Sequence, residues 1–354
     1  MYDAIIVGAR CGGSPTAMQL ARKGYRVLVV DKARFPSDTL STHCLTGEAV
    51  FKLAEWGLVE RVIAAGSRPV PGALMTAGGT TMRLPLPPGA FGLNPRRTVL
   101  DKILVDAARE AGAELREGFS VSRLVMDADG VVTGIEGTDD AGRAVTEDAR
   151  VVVGADGRNS LVAKAVGAPS YNTLPGLTCG YYSYFANFEA EHTEVWFAPN
   201  RVMFVFPTND GLTCLGAEFP KDEFDSIRGD IDGSLGAAFA LYPELGERYA
   251  KAARVEKWRG MLAPGWYYRK PFGPGWALVG DAAYLKDPVM GMGINDAFRD
   301  ADLLANALDE AFSGRQEYEA ALSAYQQQRD AATILRQQRS CQAKNCQACQ
   351  EQSW

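Results

Sequence analysis

The stretch that decides the fold lies at the start of the chain, where Ala4-Ile-Ile-Val7 is followed by Gly8-Ala-Arg-Cys-Gly-Gly13. The apolar run predicts a buried strand, the glycines predict a tight turn, and residues 14–23 predict a helix leading to a second strand at 26–30. Asp31 closes that second strand. Such a unit offers free N–H groups to a pyrophosphate and a carboxylate to a ribose diol. The stretch therefore predicts a dinucleotide-binding βαβ unit.

One position of the turn departs from the usual Gly-x-Gly-x-x-Gly pattern, because Arg10 stands where the middle glycine allows close approach to the pyrophosphate. Gly8 still lets the chain reverse without a Cβ clash, and Gly13 still lets the helix pack closely on the sheet. An arginine here can lie along the phosphates and help to neutralise them, or reach toward a substrate. The alternative is a solvated turn residue.

The composition is that of an ordinary globular protein, with 354 residues, 47% hydrophobic and 23% charged. The chain is long enough for two domains or one large one. A net charge of −6 without a basic block argues against nucleic acid as a main partner. No apolar run approaches the roughly 18 residues of a membrane span. Because Met1 leads directly into a strand, we also expect no signal peptide.

The seven cysteines are odd in number and mostly lie in apolar surroundings, so we expect a reducing cytoplasm and no disulfide framework. Cys341, Cys346 and Cys349 imitate an iron–sulfur spacing, but no fourth cysteine follows. We therefore expect no metal site and a solvated or frayed tail.

Two later stretches repeat the pattern of a strand that ends in a glycine–aspartate turn. Val151-Val-Val-Gly154-Ala-Asp156-Gly157 predicts a strand that returns to the first sheet, with a second ligand-facing turn at its carboxyl end. Trp276-Ala-Leu-Val-Gly280-Asp281 predicts another strand, and a proline- and glycine-rich loop follows up to Gly293. Asn295 is expected to cap a long helix to about Phe312, whose N-terminus would stabilise negative charge on a ligand.

A second sheet is predicted for residues 177–220, where aromatic and β-branched segments alternate with turns and indicate antiparallel strands. Residues 69–92, with two short strands around Gly78-Gly79, look like an excursion from the first domain. The aromatic side chains either line a pocket for a flat apolar substrate or simply pack the core of the sheet. The candidates for such a pocket are Tyr182, Tyr184, Trp196, Phe204 and Phe206.

Two further side chains suggest ligand contacts. His43 ends a polar loop that follows Asp31, and it either contacts a cofactor or substrate or bonds to the loop backbone. Arg97 lies in the first turn of a helix predicted to run to about Glu110, where a cation opposes the helix dipole. It either serves an anionic ligand or is solvated.

Together, the three turns resemble the flavoprotein aromatic hydroxylases of the para-hydroxybenzoate hydroxylase fold and their relatives, the geranylgeranyl reductases and flavin-dependent halogenases. The resemblance covers about residues 1–335. It implies an α/β fold in which a Rossmann-like FAD-binding domain carries an inserted antiparallel-sheet substrate domain. It divides the chain into a discontinuous FAD-binding domain of residues 1–68, 93–168 and 268–335, a substrate domain of residues 69–92 and 169–267, and a C-terminal tail of residues 336–354.

The resemblance also implies how FAD is held. The first turn and Asp31 bind the ADP half, the turn at Asp156 lies near the pyrophosphate, and Asp281 binds the ribose or ribityl region. Residues 291–295 lie against the flavin ring. The implied FAD-binding residues are Gly8, Ala9, Arg10, Cys11, Gly13, Asp31, Lys32, Ser41, Thr42, His43, Arg97, Val121, Asp156, Gly157, Gly280, Asp281, Pro288, Gly291, Gly293, Ile294 and Asn295.

The mechanism implied by the resemblance is flavin chemistry, in which NAD(P)H reduces FAD, O2 forms a flavin hydroperoxide, and an electron-rich substrate takes one oxygen atom. We therefore predict an NAD(P)H-dependent monooxygenase, with FAD as cofactor, that hydroxylates an aromatic or polyketide-like small molecule in secondary metabolism. Its candidate catalytic residues are His43, Tyr182 and Tyr184. No metal-ligand or Ser-His-Asp constellation is expected.

Three alternatives remain open from the sequence. A geranylgeranyl-type reductase would saturate isoprenoid double bonds, and the aromatic strands suit a prenyl chain nearly as well as an aromatic ring. Related halogenases carry a Trp-x-Trp-x-Ile-Pro segment, and Glu194-Val-Trp196-Phe lacks the second tryptophan. The non-enzyme alternative is a flavin-holding interaction protein. The oligomeric state is left open.

Overall fold

A parallel sheet grows from the opening βαβ unit in the computed structural model, which describes residues 1–263, 265–286 and 291–343, with side chains through Thr333. Its central strands run parallel and are almost wholly apolar, as expected for strands buried on both faces. The strand order is β17–β18–β8–β1–β2–β5. The strands are β1 (Tyr2–Val7), β2 (Val27–Asp31), β5 (Glu114–Glu117), β8 (Ala144–Gly154), β17 (Phe272–Gly273) and β18 (Trp276–Leu278).

Helices cover one face of this sheet, and an antiparallel hairpin covers the other. The helices are α1 (Gly13–Arg22), α2 (Gly47–Glu55), α3 (Val59–Ala64), α4 (Arg97–Glu110), α9 (Gly293–Phe312) and α10 (Tyr318–Ala343). The hairpin of β6 (Ser120–Met126) and β7 (Val132–Thr138) extends the first half of β8 and closes a second apolar cluster, beside the short helix α5 (Leu161–Ala165). Gly57, with a φ of 77°, separates α2 from α3.

The second sheet is antiparallel except where β11 runs parallel to β3. Its order is β14–β10–β13–β12–β11–β3–β4, with β15 also paired to β10. The strands are β3 (Gly72–Ala77), β4 (Thr80–Pro85), β10 (Thr178–Ala186), β11 (Thr193–Ala198), β12 (Arg201–Pro207), β13 (Thr213–Pro220), β14 (Ala253–Arg254) and β15 (Arg259–Leu262). A small third sheet holds β9 (Ser170–Leu174), β16 (Trp266–Arg269) and β19 (Tyr284–Leu285). The predicted α/β class, with a Rossmann-like sheet and an antiparallel sheet, is confirmed.

The two faces of the second sheet meet different neighbours. One face packs under α6 (Phe224–Gly229), α7 (Ile231–Phe239) and α8 (Pro243–Lys251) and forms a closed core. The other face meets the loop that follows β2, where Leu40 joins a smaller aromatic cluster. This second face therefore looks toward the nucleotide-binding side of the molecule.

The C-terminal segment continues the last helix further than expected. The backbone of residues 336–343 extends α10, whereas residues 344–354, with Cys346 and Cys349, lie outside the described residues. Within the described part, no helix combines the length and apolarity that a membrane span requires.

Candidate active site

The glycine turn between β1 and α1 is built by backbone crowding. Gly8 has a φ of 106°, and a Cβ there would lie 2.4 Å from the carbonyl oxygen of Ala155. A Cβ on Gly13 would lie 1.8 Å from the carbonyl oxygen of Gly8. Gly12 precedes the helix, and no side chain caps its first turn. The turn thus leaves the positive end of α1 open, which fits a pyrophosphate.

Asp31 is held against this turn by backbone donors. Its Oδ2 accepts a hydrogen bond from the Ala9 N–H at 2.8 Å, and its Oδ1 accepts one from the Ala33 N–H at 2.8 Å. Each carboxylate oxygen keeps a further lone pair. The half-buried carboxylate therefore stands beside the turn in a fixed orientation and can accept hydrogen bonds from ribose hydroxyls. The next residue, Lys32, is exposed.

A buried carboxylate on α4, Asp101, organises the cations behind the turn. It is fully buried, pairs with Arg10, and accepts a hydrogen bond from Arg97 Nε at 3.0 Å. The Cys11 thiol also donates to it at 3.4 Å. Arg10 donates further to Ser37. Its guanidinium thus contacts α4 and the loop after β2, and its contact with the phosphates stays a prediction.

Of the two arginines paired with Asp101, Arg97 also interacts with the exposed carboxylate of Asp281. Burial alone would lower its pKa, but Asp101 outweighs burial and raises it, so the guanidinium stays charged. Asp281 is solvent-exposed, yet desolvation by the surrounding protein raises its pKa, and Arg97 and Arg158 partly offset that rise. A carboxylate that solvent can reach, although protein atoms surround it closely enough to desolvate it, lies in the wall of a cleft. Gly280 before it has a φ of 61°, which a glycine adopts without strain.

The second glycine–aspartate turn is tied to the start of α5 by hydrogen bonds. The Asp156 carboxylate accepts hydrogen bonds from the Ser160 hydroxyl at 2.5 Å and from the Leu161 N–H at 2.6 Å. It therefore caps the start of α5. The turn itself lies beside the first glycine turn, since a Cβ on Gly8 would lie 3.0 Å from the Asp156 nitrogen, and its nearness to the pyrophosphate stays a prediction. Gly157 has open space around it. Val121 is half-buried and packs on the apolar cluster under the β6–β7 hairpin.

Asn295 fastens the loop after β2 to the start of α9. Its Oδ1 accepts hydrogen bonds from the N–H and the hydroxyl of Thr46, at 3.0 and 2.7 Å, and its Nδ2 donates to the Cys44 carbonyl oxygen at 3.1 Å. The helix begins at Gly293 with Met292 as its cap, so the expectation that Asn295 caps it is wrong. The Asn295 side chain does not cap the helix because it is bonded to Thr46, which is distant in sequence.

The other predicted residues of these two segments lie around the contact between Asn295 and the loop after β2. A Cβ on Gly291 would lie 3.3 Å from Cys44 Cβ, and Gly293 has open space in front of it. Ile294 is buried in the core, whereas Ser41 and Thr42 are half-buried in the loop. Pro288 lies outside the described residues.

The His43 side chain is buried, and its backbone adopts the left-handed conformation with a φ of 59°. Its Nε2 lies 2.9 Å from the Tyr184 hydroxyl. Burial lowers its pKa to about 3, with further lowering by the cations of Arg97, Arg96 and Arg259. The imidazole is therefore neutral near pH 7. The hydroxyl of Tyr182 accepts a hydrogen bond from the Ser41 N–H at 3.3 Å. The loop after β2 is thus joined to two tyrosines of the second sheet.

Four of the five aromatic candidates share one face of that sheet, and the fifth does not. Tyr182, Tyr184 and Phe206 form a buried cluster, and Phe204 packs against it. Trp196 lies on the opposite face, where its Nε1–H donates to Glu194 at 3.0 Å and its ring packs against helix α8 and its N-terminal flank. Because side chains alternate along a strand, its neighbour on β11 faces the site instead. Trp196 is therefore not a pocket residue.

Two arginines that the sequence did not single out lie beside this aromatic cluster. The Arg96 guanidinium lies 4.1 Å from the centre of the Tyr184 ring and pairs with Glu256 at 2.6 Å. Arg259 pairs with Asp38 at 2.9 Å. The Nε–H groups of both arginines are buried and have no acceptor among the described residues. The consecutive cations at 96 and 97 were the available sequence signal.

No three or more His, Cys, Asp or Glu side chains are grouped to hold a metal in the part of the chain that the structure describes. The features that do fit a ligand are the open glycine turn, the fixed Asp31 carboxylate, the cleft-wall Asp281 and the start of α9. They form an elongated series from one end of the parallel sheet to the loop after β2. Such a series fits FAD in an extended pose.

Comparison with solved structures places the fold among flavoenzymes. The myxobacterial chondrochloren halogenase superposes with a TM-score of 0.86 at 23% identity, covering 93% of this chain and 79% of that chain. A probable FAD-dependent monooxygenase from Pseudomonas aeruginosa superposes with a TM-score of 0.80 at 23% identity, covering 93% of this chain and 91% of the other. At these identities the likeness shows the fold alone.

The relatives that sequence comparison finds are named for several types of reaction. A 1H-pyrrole-2-carbonyl peptidyl-carrier-protein brominase of Pseudoalteromonas luteoviolacea is 26% identical over 324 residues, which are 88% of this chain and 78% of the relative. A digeranylgeranylglycerophospholipid reductase of Methanopyrus kandleri is 28% identical over 307 residues, 83% of this chain and 73% of the relative. The model of the FAD binding domain family matches residues 1–216 and 272–338. Because this match takes in well over half of the sequence, the chain belongs to the FAD binding domain family, and the protein is an FAD-dependent oxidoreductase.

Proposed function

We propose that the protein is a monooxygenase that uses NAD(P)H and O2 to hydroxylate an electron-rich aromatic small molecule. The observation that carries this proposal is the pairing of buried aromatic rings with two guanidiniums on the face of the second sheet that looks toward the nucleotide-binding side. An aromatic ring with a phenolic or acidic group would use both the rings and the cations. A purely hydrocarbon chain would use the rings alone.

FAD would be held by the residues that the site brings together. The turn from Gly8 to Gly13 and Asp31 would bind the adenosine and pyrophosphate groups, Asp281 would bind the ribityl region, and the start of α9 would face the flavin ring. When bound, this cofactor would supply hydride acceptance and O2 activation. We infer that residues 69–92 and 169–267 supply the substrate side, and that residues 1–68, 93–168 and 268–335 supply the cofactor side.

The neutral His43 gives Tyr184 a defined hydrogen-bond partner. Burial raises the pKa of Tyr184 above its ordinary value, so its hydroxyl keeps its proton, and a neutral imidazole nitrogen can accept that proton in a hydrogen bond. The pair can therefore hold a proton at the Tyr184 oxygen beside the site. Arg96 over the same ring would favour a substrate that gains negative charge.

Two other reactions occur among the relatives and define the alternatives. The reductase of Methanopyrus kandleri supports reduction of isoprenoid double bonds as a second candidate. The brominase of Pseudoalteromonas luteoviolacea supports halogenation. Against halogenation, Trp196 faces the helical layer and residue 198, where the second tryptophan of the halogenase segment would stand, is alanine.

One experiment separates the three reactions. FAD-loaded protein is given NAD(P)H and a panel of hydroxylated aromatic acids and prenylated phenols in air, in air with bromide, and without oxygen. We expect products heavier by one oxygen atom in air, with or without bromide, and no product without oxygen. Brominated products, or saturation of the prenyl group without oxygen, would each contradict the proposal and identify the reaction that replaces it. Protein that takes up no FAD would contradict the cofactor assignment itself.

A further inference from the structure

One row of paired residues crosses the whole second sheet on the face that looks toward the nucleotide-binding side. The strand registers make direct partners, in order, of Arg259, Tyr182, Gly216, Phe204, Val195, Met75 and Met82. Side chains of directly paired residues project from the same face of a sheet. The row therefore has a guanidinium at one end, a phenol next to it, and apolar side chains over the remaining strands.

From Tyr182 to the edge strand β4, the row passes from buried through half-buried to exposed residues. Tyr182 is 6% exposed, Phe204, Val195 and Met75 are half-buried, and Met82 on the edge strand is 56% exposed. On the opposite face, the same central strands contribute fully buried side chains to the core under α6, α7 and α8. Partial exposure is thus a property of one face, and it begins at the aromatic cluster of the candidate active site.

The row is bordered along one side by a covering segment of the chain. A Cβ on Gly216 would lie 2.3 Å from Phe204 Cζ, so the Phe204 ring lies over this glycine. The adjacent row is covered by the chain before α4, where Asn94 donates to the Thr193 hydroxyl at 3.0 Å and both residues are buried. This covering chain forms a wall along one side. We call the half-buried residues Phe204, Val195 and Met75, together with the exposed Met82, the tail strip.

The length of the tail strip sets the size of what it would hold. Neighbouring strands are about 4.8 Å apart, so the five spacings from Tyr182 on β10 to β4 span roughly 24 Å, of which the tail strip makes up the last three, roughly 14 Å. This is longer than one or two aromatic rings and suits an extended apolar chain. We infer that the substrate is an amphiphile whose aromatic head lies at Tyr182 and Tyr184 and whose apolar tail lies along the tail strip. The inference rests on the proposed function only for the identity of the head.

Binding of a homologous series tests this inference without turnover. FAD-loaded protein is titrated with 4-alkylphenols whose chains carry one to fourteen carbons, and the perturbation of the bound flavin spectrum gives each dissociation constant. We expect affinity to rise about three- to fourfold for each added methylene, the value for removing one methylene from water. A flat dependence on chain length, or no binding of any member, would overturn the inference.

A polar side chain inside the strip tests the position of the tail. Val195 lies three spacings, about 14 Å, from β10, which an extended chain of roughly eleven carbons reaches. Val195→Asp should leave short chains unaffected and abolish the gain beyond about ten carbons, and the isosteric Val195→Thr covers the case in which the aspartate variant fails to fold. Leu241→Asp, at an exposed apolar position beyond α7, is the matched control and should retain the full gain. Equal effects of both aspartates would overturn the tail assignment. A steep dependence on chain length in protein that hydroxylates nothing would keep the tail and reject the reaction.

Discussion

The glycine turn and the aromatic face of the second sheet are built by different physical means. At the turn, backbone atoms are so close that only glycine fits at positions 8 and 13, and a buried carboxylate organises the cations behind it. On the sheet, the face is defined by the register of the strands, which decides the side chains that lie next to each other. Substitutions at the turn should therefore cost stability, whereas substitutions on the tail strip should change what binds.

The largest effect is expected for the carboxylate behind the turn. Asp101→Ala leaves the buried guanidinium of Arg97 without its partner, and uncompensated buried charges cost about 4 kcal/mol. We expect that loss in the free energy of unfolding, measured with urea, together with weaker FAD retention. On the same helix, Asp106→Ala removes a half-exposed partner of Lys102 and should cost less than about 1 kcal/mol. Similar losses in the two variants would refute the organising role of Asp101.

The next largest effect tests backbone crowding in the turn. Gly13→Ala places a methyl group against the Gly8 carbonyl and should cost about 3 kcal/mol, the upper range for overpacking. Gly12→Ala is the matched control, because its φ is −90° and the nearest atom to its Cβ is 3.4 Å away. Urea unfolding of both apoproteins measures the difference. Equal stability of the two variants would show that the turn is not crowded.

A smaller effect, dependent on pH, is expected where the loop after β2 meets the sheet. The folded protein holds the pKa of His43 at about 3, and the unfolded chain has a value near 6.5. The unfolded state therefore binds the proton first, and lowering the pH from 7.5 to 5 should cost about 2 kcal/mol through His43. His43→Asn, which tolerates the positive φ, should lose this component. The difference between the two unfolding profiles tests it, and parallel profiles would contradict the buried neutral imidazole.

The smallest effect separates the two faces of the second sheet. Trp196→Phe removes the hydrogen bond to Glu194 and should cost about 1 kcal/mol. Because this ring lies on the helical side, the affinity for 4-alkylphenols should not change. Tyr182→Phe, on the other face, should weaken that affinity. If the Trp196 variant bound 4-alkylphenols more weakly, the assignment of the substrate to the Tyr182 face would be wrong.

The parts of the structure set by local backbone physics were predictable from the sequence. The βαβ unit and the two later strands that end in glycine–aspartate turns each follow from glycine placement and apolar periodicity, and the structure has all three. The contacts that the sequence could not predict involve side chains whose partners are distant in sequence. Arg10 pairs with a carboxylate 91 positions away, and Asn295 bonds to Thr46 rather than to its own helix.

The aromatic face shows a different limit of prediction. The residue types of the strands indicate an aromatic sheet, but which side chains share a face depends on parity within each strand. Trp196 is one residue out of phase with the cluster, so composition alone could not exclude it. Arg96 and Arg259 reach the same face from an α4 flank and from β15, and only the fold brings them together.

The most direct test of the central claim is the source of the oxygen atom in the product. FAD-loaded protein is mixed with NAD(P)H and a phenolic substrate under ¹⁸O2, and the product mass is compared with that formed under ordinary oxygen. The account predicts one added oxygen atom that carries the label. Added oxygen without label, or product formed equally well without O2, would contradict it.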